Sequence, residues 1–249
     1  MDATQTVHPL LRLDHARQVL VRLEETIVFA LIERAQFHRN AAIYRGGAFP
    51  ALADDESLMG HLLRETERIH AAMRRYTSPD EHPFFDGLPP PRLPPPAQGG
   101  SPLRPNVVNL NAELRPAYER EIVPSLCAAG DDGQYGSSAV CDVACLQALS
   151  RRVHYGKFVA EGKRRQEPER FAALARSGTD DELLAAITCA DVEQAVLDRV
   201  RRKAGAYAAE LRRSGETNAP DAERIADVYA RWIIPLNKRV QVAYLRATA

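Results

Sequence analysis

The 249-residue chain is electrically balanced, with 33 Lys plus Arg against 33 Asp plus Glu, which excludes a global field that would draw it to nucleic acid or an anionic membrane. Any anion site is therefore local. Glycine is sparse at 14 and aromatics make up 6%, while Ala, Leu, Arg and Glu abound, a composition of long helices and not of sheet. The length allows one large domain or two small ones.

Residues 1–14 lack a basic segment followed by an apolar one, and no later run approaches the length of a membrane span, which predicts a soluble, cytoplasmic protein. Cys141 and Cys145 are one turn apart, but Cys127 and Cys189 form no second pair and no histidine cluster has metal-ligand spacing. Reduced thiols are expected, with no metal or other cofactor.

The first predicted helix runs from Asp14 to Phe37, with Leu20, Leu23, Ile27 and Leu31 on its apolar stripe and Asp14 as N-cap. Arg17 falls in its first turns, where the helix dipole disfavours a cation. A solvated arginine is the plain explanation. Residues 38–54 read as a loop, followed by an amphipathic helix from Asp55 to Tyr76. Ser78, Pro79 and Asp80 then form a turn, and Phe84 and Phe85 anchor the chain to the core. Residues 83–105 are too rich in Pro and Gly for regular structure and read as a surface crossover inside one domain spanning 1–249.

A third helix covers Ala112 to Ala128, disturbed at Pro124. The polar turn 130–138 leads into Cys145–Arg165, where Arg152 and Lys163, eleven positions apart, fall within about 20° of each other on an ideal helix and about 16 Å apart along it. On spacing alone this is a solvated basic face, since Arg151, Lys157, Arg164 and Arg165 crowd the same segment. Shorter helices follow at Pro168–Arg176 and Thr179–Thr188, then long ones at Ala190–Arg213 and Asp221–Leu245, the last bent at Pro235. No stretch shows strict period-two alternation. The expected fold class is all-α, with long helices packed as a bundle.

Polar residues on four of these helices can point inward: Arg17, Arg152 with Lys163, Glu193, and Asn237 with Gln241, which share a face. The segments RQVLVRLEETIVFALIERAQF, RRYTSPDEHPFF, GSSAVCDVACLQALSRRVHYGKFVAEGK, TCADVEQAVLDRV and IIPLNKRVQVAYL, in this order, resemble the yeast-type, all-helical chorismate mutases. The resemblance spans nearly the whole chain and is weakest across the Pro-rich crossover.

The resemblance implies a homodimer with an active site inside a four-helix bundle in each subunit. There chorismate rearranges to prephenate in the shikimate-derived pathway to phenylalanine and tyrosine. It implies that Arg17 and Arg152 grip the substrate carboxylates, that Lys163 donates to the ether oxygen, and that Glu193 accepts from the ring hydroxyl. Gln241 stands where a glutamate is common, Cys189 where an asparagine helps bind substrate, and Asn237 where a threonine is usual. An amide donates at any ordinary pH, so a broad activity profile is expected. The resemblance further implies tyrosine and tryptophan effectors bound near Arg74, Arg75, Gly136, Ser137 and Val140, the last replacing a threonine. A catalytically silent homologue serving as a regulatory or interaction subunit is the alternative, kept open by the substitutions at Cys189, Asn237 and Gln241.

Overall fold

The computed structural model describes residues 11–53, 55–95, 101–213 and 220–249. Every regular element among them is helical: α1 (Leu13–Ala35), α2 (Leu58–Ala72), α3 (Asn111–Ala117), α4 (Val123–Leu126), α5 (Tyr135–His154), α6 (Gly156–Gln166), α7 (Pro168–Ser177), α8 (Asp180–Ile187), α9 (Ala190–Arg213), α10 (Ala222–Val228) and α11 (Ile234–Ala247), with short 3₁₀ turns at Ala41–Tyr44 and Arg75–Thr77. None of these helices is long and apolar enough to cross a membrane. Part of the Pro-rich crossover, residues 96–100, lies outside the described residues.

Several boundaries differ from the sequence-based expectation for identifiable reasons. Asp14 is not the N-cap: α1 begins at Leu13 after Arg12, and Asp14 sits in the first turn, 3.3 Å from Arg17. The second helix stops at Ala72 because Arg74 turns left-handed at φ 68°, and Arg75 begins a separate 3₁₀ turn. The disturbances expected at Pro124 and Pro235 take the form of widened turns just before each proline. A π turn at Tyr118–Ile122 joins α3 to α4 before Pro124, and another at Tyr229–Ile233 joins α10 to α11 before Pro235. Each widened turn accommodates a proline ring that would otherwise meet the carbonyl four residues back.

Two apolar clusters hold the molecule together. The larger includes Ile27, Leu31 and Ile32 of α1, Leu146, Leu149 and Val153 of α5, Val196 and Val200 of α9, and Leu236 and Val240 of α11. The smaller gathers Ala16, Val19 and Leu23 of α1 with Tyr155, Phe158, Ile187, Tyr244 and Leu245. Phe84 and Phe85 pack against the larger cluster, and the Glu67 carboxylate accepts hydrogen bonds from both of their backbone amides. α1 lies along both α5 and α9, and α11 lies along α5 and α6, so these helices surround the seam between the clusters.

Within the larger cluster the Asp142 carboxylate accepts from Arg34 Nε at 2.6 Å and from the hydroxyls of Tyr44 and Tyr118, each at 2.7 Å. Burial works most strongly against the Arg34 charge, but Asp142 together with Tyr44, Cys127 and Tyr118 more than offsets it, and the guanidinium pKa is raised. The network ties the C-terminal end of α1 to the middle of α5.

The basic run of α5 and α6 is only partly solvated, which corrects the expected solvent-facing row. Lys157 is 1% exposed, its ammonium 2.7 Å from His82 Nε2, and burial lowers its pKa to about 8. Arg164 is also buried, paired with Glu161 and donating to the Thr248 carbonyl at 3.1 Å. Arg165 is exposed, and Arg151 reaches Asp80 at 2.9 Å. A snorkelling aliphatic stem allows a cation to serve inside as well as outside, so residue type alone does not separate the two.

Candidate active site

The seam between the two clusters opens into a cavity of about 160 Å³. Its wall combines apolar side chains, among them Leu20, Val159, Ile187, Val196 and Ile234, with every expected substrate-facing residue: Arg17, Arg152, Lys163, Cys189, Glu193, Asn237 and Gln241. Residues from α1, α5, α6, α9 and α11 converge here although they span most of the chain. A mostly apolar wall with a few convergent polar groups is the usual make-up of a small-molecule site.

Arg152 is set at the end of α5, one turn before the α5–α6 junction at Tyr155. It is buried, and its Nε and Nη1 have no hydrogen-bond partner among the described residues. Burial lowers its pKa, countered by Tyr229 and Glu24 and reinforced by Arg199. A desolvated guanidinium with free donors is costly for the fold and well suited to a carboxylate. Arg17 differs. Its side chain is 61% exposed and paired with Asp14, so it stands at the cavity mouth, free to move toward an anion.

Lys163 donates to the carbonyl of Ile187, the last residue of α8, where the helix dipole favours a cation. Its ammonium also lies 3.4 Å from Gln241 Oε1. Burial lowers the lysine pKa to about 8, with Cys189 and Glu193 raising it and Arg17 and Lys238 lowering it. Glu193, in the first turn of α9, is 3.0 Å from Lys238, a cavity residue that the sequence-based expectation missed. Its three-residue spacing from Gln241 was the available signal.

Asn237 faces the cavity but is already engaged. Its amide nitrogen donates to the carbonyls of Arg152 and Val153 at 3.2 and 3.0 Å, and its oxygen accepts from Gln241 Nε2 at 2.9 Å. Cys189 is exposed and reduced at the approach to α9. Among the described residues, no group of three or more His, Cys, Asp or Glu could hold a metal ion. The chemistry on offer is anion binding plus hydrogen-bond donation to a developing negative charge.

The expected effector residues are not gathered in the same way. Gly136, Ser137 and Val140 belong to the first turns of α5 itself and not to a preceding turn, and Val140 is 57% exposed. Arg75 reaches α5 at Gln147, 2.8 Å away, and also pairs with Glu81, while Arg74 donates to the Leu93 carbonyl.

Comparison with known proteins agrees with this architecture. Residues 134–242 match the family model described as chorismate mutase type II. The chain is 45% identical over 95% of its length to chloroplastic chorismate mutase 1 of Zea mays, covering 78% of that protein. The fold superimposes on AtCM1 with tyrosine bound in its allosteric site (TM-score 0.84, 39% identity, 99% and 98% of the two chains covered). It also superimposes on Aro7p chorismate mutase from Candida albicans in complex with L-Trp (TM-score 0.85, 37% identity, 96% and 93% covered). The chain therefore belongs to the eukaryotic, all-helical branch of the chorismate mutase family.

Proposed function

We propose that the cavity binds chorismate and catalyses its intramolecular rearrangement to prephenate. The observation that carries this reading is Arg152, a buried guanidinium with two donors unpartnered among the described residues, which lines the same cavity as Lys163. Arg152 takes one substrate carboxylate and the exposed Arg17 closes on the other. Holding both ends fixes the compact conformer in which the bond-forming carbons approach, so the entropy of folding the substrate is met on binding. As the ether bond breaks, negative charge grows on its oxygen, and Lys163 with the second proton of the Gln241 amide stabilises it there. Glu193 accepts from the ring hydroxyl, and Cys189 closes the wall beside it. No observation favours a catalytically silent homologue. The test is chorismate consumption by the purified protein, abolished by Arg152→Ala.

Regulation, assembly and location complete the proposal. Arg74, Arg75, Gly136, Ser137 and Val140 form the effector region, a reading supported by the tyrosine- and tryptophan-bound relatives. Titrating tyrosine and tryptophan against initial rate tests it, with opposite shifts in half-saturation expected. The whole chain acts as one catalytic domain and pairs as a homodimer through the exposed apolar patch of Ile69 on α2, Met73 just beyond its end and the neighbouring Leu93. Sedimentation of the wild type beside Ile69→Glu checks this, with a monomer expected for the variant. A cytoplasmic location stands as a proposal beside plant relatives named as chloroplastic, and cell fractionation decides between them.

A further inference from the structure

Asn237 occupies the centre of a hydrogen-bond chain that runs in one direction. Lys163 can only donate, and its ammonium faces Gln241 Oε1 at 3.4 Å. Gln241 Nε2 donates to Asn237 Oδ1 at 2.9 Å, and Asn237 Nδ2 donates to the carbonyls of Arg152 and Val153 at 3.2 and 3.0 Å. The orientation of Asn237 is not arbitrary. Two carbonyl oxygens face one end of its side chain, so that end must be the nitrogen and the other end an acceptor. Position 241 must then present a donor to Asn237 and an acceptor to Lys163, which a neutral amide does and a carboxylate does not.

The same side chain is packed against the junction between α5 and α6. A Cβ placed on Gly156 would come within 2.8 Å of both Asn237 Nδ2 and the Asn237 backbone oxygen. This close approach lets the amide reach past the junction to the carbonyl of the residue that carries the buried guanidinium.

We propose that Asn237 is a positioning residue rather than a substrate ligand: its committed acceptor selects a hydrogen-bond donor at position 241 and aims the Gln241 carbonyl at Lys163, while its amide fixes the backbone of Arg152. This deepens the reading of the cavity as the rearrangement site and rests on it. The inference makes a specific statement about Gln241→Glu. Once ionised, the introduced side chain would set a carboxylate oxygen against Asn237 Oδ1, so the acid is held protonated to higher pH than it would be without Asn237. The other charges facing this position are Arg17 from α1, Arg152 from α5, Lys163 from α6, Glu193 from α9 and Lys238 from its own helix, with the Cys189 thiol beside them. All are common to the variants compared, so they cancel in the difference.

The experiment is the pH dependence of kcat for wild type, Gln241→Glu and Gln241→Glu/Asn237→Ala, with thermal melts to confirm folding. Activity of both glutamate-bearing variants falls as the introduced carboxyl ionises. The expected result is a midpoint about one pH unit lower in the double variant than in Gln241→Glu, corresponding to a ten-fold weaker hold on the proton. If the alanine variant fails to fold, Asn237→Ser replaces it, and its hydroxyl, able to donate to the carboxylate, must also lower the midpoint. Equal midpoints in a folded pair, with an active wild type, overturn this inference alone. A wild type that leaves chorismate unchanged overturns the functional reading and this inference with it.

Discussion

Lys163 Nζ stands 3.4 Å from Gln241 Oε1 and also donates to the Ile187 carbonyl, so two neutral acceptors hold a half-buried cation at the cavity wall. Among the described residues, no carboxylate is bonded to it directly. The ammonium is therefore held in place without being neutralised, ready for an anionic oxygen.

This arrangement sets the pH dependence of catalysis. Burial brings the Lys163 pKa down to about 8, and catalysis needs the charged form. kcat/KM should be flat from about pH 6 to 7 and fall as pH rises through the lysine pKa. The bound dianion favours the ammonium, so the corresponding fall in kcat should lie at higher pH. Profiles of both constants check this.

A cost in stability accompanies the depressed lysine pKa. Below about 8 the lysine is protonated in both folded and unfolded chains, and the folded state carries the full burden of a desolvated charge. Between there and the unfolded value the unfolded chain binds more protons, so this contribution makes stability rise with pH. Lys163→Met should raise Tm by a few degrees at pH 7 and lose that advantage as pH climbs through this window. Activity should be abolished throughout. Calorimetry across pH measures the difference.

Arg152 should show a similar opposition between activity and stability. Arg152→Lys keeps the charge but loses the planar fork, and kcat/KM should drop about hundred-fold, near 3 kcal/mol at the transition state. Arg152→Met should be inactive and more stable, because an unpartnered buried guanidinium is replaced by an apolar side chain of similar length. Kinetics and denaturant melts of the two variants test this together.

The Arg34–Asp142 network predicts the opposite pattern. Asp142→Ala leaves Arg34 buried without its carboxylate and should cost about 3–5 kcal/mol. Tyr44→Phe removes one of the hydroxyl bonds and should cost about 1 kcal/mol. Both are stability effects remote from the cavity, so kcat of the folded fraction should stay within about two-fold, as urea titration and assays below the transition can show.

Gly156→Ala forces the close approach described for Asn237. Because one of the colliding atoms is backbone, α11 must shift, at a cost of about 1–3 kcal/mol. The expected result is a lower Tm together with reduced turnover, since the same movement displaces Gln241 from Lys163.

Much of this is legible in the chain. The expected bounds place α1 and α9 to within about two residues, and the family resemblance alone groups Arg17, Arg152, Lys163, Glu193, Asn237 and Gln241 into one site. The single helix expected over Cys145–Arg165 is two, α5 beginning already at Tyr135 and α6 starting at Gly156 after the junction at Tyr155. The boundaries that moved depend on backbone geometry: the left-handed Arg74 ends α2, and π turns absorb Pro124 and Pro235. Lys157 and Arg164 escape a reading by residue type because their burial depends on partners far away in sequence, His82 and Thr248. The direction of the Asn237 amide is equally hidden. Only the placement of two α5 carbonyls beside α11 determines it.

The most direct test is the loss of chorismate absorbance with purified wild-type protein, repeated for Arg152→Ala and Lys163→Ala. Steady conversion to prephenate by the wild type, reduced at least about hundred-fold in each folded variant, is the predicted result. A wild type without turnover at any pH, or variants that match its rate, would contradict the assignment of this cavity as the site of the rearrangement.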